Sequence, residues 1–184
     1  RVSRGLGDVY KRQIQKASQR DFLTGVYNRE GLIQNIEKAL KEDKNKQGVD
    51  AFFILDLDHF KEINDFLGHG TGDQVLQNTA KILDQCFRKE DIVGRLGGDE
   101  FVLLIRRINR IEAVHRMAKR LNESLCNTYE KDGQRIQISA SIGIALGQAE
   151  TESFEKLYEK ADEALYEVKR EQKNGYKIYE GQSR

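Results

Sequence analysis

The sequence predicts an α/β fold, a mixed sheet with helices packed on it. Three observations carry that expectation. Stretches with apolar residues at helical spacing alternate along the chain with short apolar or β-branched runs. One of those runs, Asp50–Asp58 (DAFFILDLD), is almost continuously apolar, as a central strand covered on both faces would be. Two others, at Val93 and at Phe101–Ile105, are joined through Gly97 and Gly98, which reads as a hairpin.

The 184 residues suit one domain with a full core. Ser3–Gln13 (SRGLGDVYKRQ) shows no periodicity and reads as the in-frame translation of a transposon-type sequencing adapter. Residues 1–13 are therefore expected to be non-native or linker, 14–20 the end of a helix arriving from an upstream module, and 21–184 the domain. Arg29–Asp43 places Leu32, Ile33, Ile36, Ala39 and Leu40 on one helical face. After the Asp50–Asp58 strand, HFKEINDFLG reads as a short helix ending at Gly68. Gly72–Lys89 follows as a helix with Val75, Leu76, Thr79, Ile82, Leu83 and Cys86 inward. Beyond the hairpin, Asn109–Glu130 reads as a long helix and Gln134–Leu146 as a strand. Ser153–Arg170 reads as a helix with Ser153 as N-cap and Phe154, Leu157, Tyr158, Ala161, Leu165 and Val168 inward. Tyr176–Tyr179 is a last short strand.

Lys and Arg number 31 against 30 Asp and Glu, a net charge of +1. That balance gives no basic footprint for nucleic acid and no polybasic membrane signal. No apolar run approaches the roughly 18 residues of a membrane span. Cys86 and Cys126 have no metal-ligand spacing and read as reduced, buried thiols of a cytosolic protein.

The hairpin tip poses the chemical question. Asp99 and Glu100 stand side by side at the mouth of a buried strand, where like charges repel. Asp56 and Asp58 end the apolar strand on one sheet face. If the hairpin pairs beside that strand, Asp56 and Asp99 converge, which is costly unless a cation bridges them. Hard oxygen ligands, few in number, suit Mg²⁺ with waters and a substrate phosphate. The competing reading, an Asp at a strand end capping the next helix, would account for either acid alone. In DHFKEINDFLGHGTGD, Lys61 is placed to meet a phosphate as a point charge. Asn64 and Asp73 are an amide and a carboxylate, the pair a guanine edge requires. Helix capping at the 68–72 turn explains those two equally well from spacing alone.

Five blocks, DFLTGVYNR, DLDHFKEINDFLGHGTGD, RLGGDEF, SIGIA and ADEALYEVKREQKN, resemble the GGDEF domain, the diguanylate cyclase domain of bacterial signalling proteins, over about residues 17–180. The resemblance implies a fold like the nucleotidyl-cyclase and polymerase palm, a central five-stranded sheet surrounded by helices. It implies condensation of two GTP into cyclic di-GMP and two pyrophosphates across a homodimer, by two-metal phosphoryl transfer with Mg²⁺, Mn²⁺ being the alternative. Carried over by position, Asp56, the Leu57 carbonyl and Asp99 hold metal. Glu100 supports the metal or the reacting hydroxyl, and Gly97 and Gly98 admit the nucleotide. Asn64 and Asp73 read guanine, and Lys61, Lys169 and Lys173 meet phosphates. The chain departs from the family tail A-K-x-x-G-[RK]-N at Val168 and Gln172, and has Lys173 where Arg is frequent, which keeps the charge and loses the bidentate fork.

Arg88–Asp91 (RKED) precedes Gly97 by the five residues Ile92–Leu96, the form of the family's inhibitory R-x-x-D site, so cyclic di-GMP is expected as inhibitor as well as product. A second basic partner would come from Arg116, Lys119 or Arg120. The bland alternative for Arg88 and Asp91 is a solvated pair at a turn. The rival to an active cyclase is a non-catalytic receptor for GTP or cyclic di-GMP. A cytoplasmic location, or the cytosolic end of a membrane-bound sensor, is expected, with the sensor module upstream and neither nucleic acid nor membrane touching this segment.

Overall fold

Ten strand residues, Val49–Asp58 (β1), run through the middle of the computed structural model, which describes residues 19–42, 48–147, 152–171 and 173–181. The segment 1–13, most of the helix end expected at 14–20, and Gln172 lie outside the described residues. The remaining elements are α1 (Arg29–Glu42), α2 (Phe60–Glu62) continued by a π-helical turn (Ile63–Leu67), α3 (His69–Cys86), β2 (Ile92–Gly97) and β3 (Glu100–Ile108). Then come α4 (Ile111–Leu125), β4 (Asn127–Lys131), β5 (Gln134–Gly147), α5 (Phe154–Glu171) and β6 (Gly175–Ile178).

Five strands lie in the order β2-β3-β1-β5-β6, and β4 pairs with the first half of β5. Among these six strands every pairing is antiparallel except β5 with β6, so the sheet is mixed as expected. Main-chain bonds from Tyr27 to Val93 and from Arg95 to Tyr27 cover the β2 edge with the loop before α1. Alternation along β1 sends Phe53, Leu55 and Leu57 into a core with α3 and α4, while Phe52 and Ile54 enter a second core with α1 and α5. The odd and even residues of β3 divide the same way, so Glu100 shares the α5 face with Asp56 and Asp58.

The long helix expected at Asn109–Glu130 stops at Leu125, and Asn127–Lys131 is a strand instead. NTYEK buries only part of Tyr129, so no apolar alternation marks it, and pairing with Gln134–Ile138 makes it a strand. The third helix begins at His69 rather than Gly72 and ends at Cys86. Both cysteines are free and half-buried rather than buried, and Cys126 sits just past its helix, its Sγ accepting from Gln137. Ser153 does cap α5, its Oγ accepting from the Lys156 amide at 3.3 Å. No helix among the described residues is long and apolar enough to cross a membrane.

Candidate active site

β3 pairs with β1 up to Asp56↔Glu100, while β5 pairs on to Asp58. The open end of the ladder therefore holds Asp56, the Leu57 main chain and the β2–β3 tip. At that tip Gly98 has φ +52, a left-handed conformation that favours glycine. A Cβ on Gly97 or Gly98 would meet no protein atom within 4 Å, so the space over the tip is open to a ligand. Arg95 braces the tip from below. Its Nε donates to the Gly98 carbonyl at 2.9 Å and its Nη1 meets Asp21 at 3.2 Å, tying the loop before α1 to the signature turn.

The electrostatics match the sequence argument. Burial, and then the charge of Asp56, push the Asp99 carboxyl above its ordinary value. Burial also raises Glu100, against the lowering effect of the Tyr158 hydroxyl, which donates to Glu100 Oε1 at 3.0 Å. Burial and the Glu100 charge push Tyr158 up to about 12. Lys169 Nζ lies 2.8 Å from Asp56 Oδ2, an ammonium where a cation is wanted. Among the described residues no three or more His, Cys, Asp or Glu side chains gather as a complete metal cage. Two carboxylates and a main-chain carbonyl still fit Mg²⁺, which keeps waters and phosphate oxygens for its remaining positions.

Asp58 shares a sheet face with Asp56 and has a separate task. It is buried and accepts from Ser139 Oγ at 2.8 Å, Ser141 Oγ at 2.8 Å and the Asn174 amide at 3.0 Å. Those bonds hold the turn of Lys173 (φ +56) and Asn174 (φ +47) against the sheet and so place Lys173 at its end.

Lys61 is exposed one turn beyond β1. The Asn64 amide lies over Gly72, where a Cβ would overlap it, and the exposed Asp73 is the next residue. Gly68, the residue that precedes α3, supplies no side-chain cap, so capping there does not account for Asn64 or Asp73. The bonds and ion pairs found among the described residues involve the side chains of none of Lys61, Asn64, Asp73 and Lys173. The fold thus gathers Asp56, Asp99, Glu100 and Lys169 at the tip, and Asn64 with Asp73 on the α2–α3 turn.

Arg88 and Asp91 lie at the other end of β2 from Gly97. Asp91 accepts from the Arg88 amide at 2.9 Å and the Arg106 amide at 3.1 Å, so its carboxylate organises the turn. The Arg88 guanidinium is exposed and 3.8 Å from Glu90. A groove of about 690 Å³ runs past both, with Arg20, Tyr27 and Lys81 on its walls. Arg116, Lys119 and Arg120 are exposed on α4, whose Ala113 and Met117 border Arg88 in a smaller cleft.

Asp21, Arg95, Asp58 and Tyr158 are the residues that motif reading left without a role. Burial raises the Asp21 carboxyl, but the Thr24 hydroxyl and amide and the Arg95 charge outweigh it, and its pKa is lowered. An acid held low in the fold contributes stability above its unfolded pKa and loses it as pH falls through the folded value. Asp21→Asn is expected to cost about 1.5–3 kcal/mol at pH 7, the range for hydrogen bonds to a charged group. The difference in melting temperature from wild type should close below about pH 4. A difference that stayed constant with pH would show that the ion pair is not its source.

The sequence model described as diguanylate cyclase, GGDEF domain, matches residues 18–175. Diguanylate cyclase DgcS of Shewanella oneidensis is 37% identical over 158 residues, 86% of this chain and 52% of that protein. Diguanylate cyclase DgcP of Pseudomonas aeruginosa is 38% identical over 160 residues, 86% of this chain and 23% of that one. The chain thus spans about half, or less, of the curated relatives it matches. Among solved structures, the GGDEF domain of TpbB (YfiN) from P. aeruginosa superposes with TM-score 0.79 at 34% identity, covering 88% of this chain and 94% of that one. The GGDEF domain of DgcB from Caulobacter crescentus, solved with c-di-GMP, superposes with TM-score 0.81 at 28% identity, covering 89% and 96%.

Proposed function

The chain belongs to the GGDEF family of diguanylate cyclase domains, and on that premise we propose that it condenses two GTP into cyclic di-GMP and two pyrophosphates between two facing copies. The observation that carries this reading is the open tip, where Asp56, Asp99 and Glu100 crowd together with the Lys169 ammonium. Asn64 and Asp73 read the guanine edge; Asp73 selects guanine because adenine has no N1–H to donate to it. Lys61, Lys169 and Lys173 balance triphosphate charge. Mg²⁺, or Mn²⁺, held by Asp56, the Leu57 carbonyl and Asp99, would supply Lewis-acid stabilisation of the attacking and leaving oxygens. Glu100, held above the usual carboxylate range by burial, takes the proton of the attacking 3′-hydroxyl on its carboxylate. The domain, residues 21–184, acts in the cytoplasm as the output unit of a sensor that controls its pairing.

Cyclic di-GMP formation from GTP and Mg²⁺, followed across protein concentration, tests the proposal. A rate that rises faster than linearly with protein supports it. No product, even when a fused coiled coil forces dimerisation, would favour a receptor.

Arg88 and Asp91 are proposed as the site of product inhibition. Because Asp91 also organises its turn, Arg88→Ala is the cleaner variant. Losing a charge-assisted contact of about 1.5–3 kcal/mol should raise the cyclic di-GMP needed for half-inhibition about tenfold or more. An unchanged inhibition curve would leave the pair as a turn and nothing else.

A further inference from the structure

Tyr158 lies on the second turn of α5, its ring half-buried and stacked on Phe154 with centroids 6.0 Å apart and planes at 25°. Phe154 in turn packs edge-on against Phe52 of β1, with centroids 5.5 Å apart and planes at 78°. This aromatic ladder ties the ring to the middle of the sheet and leaves the phenol little freedom. Its hydroxyl donates to Glu100 Oε1 at 3.0 Å. Farther along the same helix, Lys169 holds Asp56, the residue opposite Glu100 in the sheet register. Helix α5 therefore grips both acid-bearing strands at the tip, one through each side chain.

We propose that Tyr158 is a positioning residue for the cyclase reaction, occupying Glu100 Oε1 so that the carboxylate is fixed with Oε2 alone facing the reacting hydroxyl. The inference rests on the cyclase reading for its catalytic consequence, and on the structure for the contact itself. A phenol suits the task because its reach ends in a single donor, where an aliphatic residue at the same inward position would pack equally well and leave Glu100 to rotate. Holding a reacting group in one orientation acts on turnover rather than on substrate binding.

Tyr158→Phe removes the hydroxyl and keeps the ring. It is expected to lower kcat about tenfold, the size of one hydrogen bond to a charged group. The KM for GTP and GTP binding measured with Ca²⁺ in place of Mg²⁺ should stay close to wild type. The chain has 7 tyrosines, and the Cζ resonance lost in Tyr158→Phe identifies Tyr158 in a tyrosine-labelled sample. That resonance should move in Glu100→Gln. An unchanged kcat, or a fall in kcat matched by lost GTP binding, would overturn the positioning role. A Tyr158 resonance indifferent to Glu100→Gln would overturn the contact. A wild-type domain with no turnover even when a fused coiled coil pairs it would sink the cyclase reading by itself and leave the contact to be judged by the resonance.

Discussion

Asp99→Ala is expected to lower cyclic di-GMP formation at least about 10³-fold, with no loss of fold. The rate follows from the site. In the proposed reaction several kcal/mol of transition-state charge stabilisation depend on a divalent ion, and each 1.36 kcal/mol is tenfold. Asp99 is one of only two carboxylates proposed to hold that ion. The fold follows from the electrostatics. Burial and the Asp56 charge work against an ionised Asp99, so the domain without ligand gives up an unfavourable interaction when the carboxylate goes. At neutral pH the variant should therefore melt at or above the wild-type temperature. GTP with Mg²⁺ should raise the wild-type melting temperature, since it binds only the folded state, and should raise that of the variant much less. Activity within tenfold of wild type would remove Asp99 from the metal site. A lower melting temperature without ligand would show that the tip is not electrostatically strained.

This split between function and stability explains why the acids of the candidate site were legible in the sequence. Acids clustered at the ends of apolar strands stand out, and Asp56, Asp99 and Glu100 did. Local spacing was enough for β1 and the hairpin too, because both are continuous in sequence. What stayed hidden depends on partners far along the chain. Asp58 receives its hydroxyls from Ser139 and Ser141, more than 80 residues on, and nothing near Asp58 announces them. Arg95 meets Asp21 across 74 residues. Tyr158 left one trace, a hydroxyl on an otherwise apolar helix face, which when buried must find an acceptor. Strand β4 left none, since polar residues on both faces carry no period to read.

The largest structural effect is expected where α5 crosses β5. Gly143→Ala would place a Cβ on top of the Ala161 carbonyl, 2.5 Å from the Leu165 amide nitrogen and 2.7 Å from Leu165 Cβ. The first two atoms are acceptor and donor of a helical i→i−4 bond, so neither can swing aside as a side chain would. The strand cannot yield either, because β5 is held by β1 on one side and β6 on the other. Overpacking of a core costs about 1–3 kcal/mol where side chains adjust, and a clash against two main chains belongs at or above the top of that range. Set against the roughly 5–15 kcal/mol that holds a domain together, that is a large share. Chemical denaturation should show a loss of at least about 3 kcal/mol, and heating a melting point lower by about 6–12 °C. Activity should fall beyond what the lost folded population explains, because α5 carries both Lys169 and Tyr158 and any outward shift withdraws them from Asp56 and Glu100. A variant within about 0.5 kcal/mol of wild type would mean that the helix rides higher on the sheet than this packing requires, and the grip of α5 on the two acids would have to be redrawn with it.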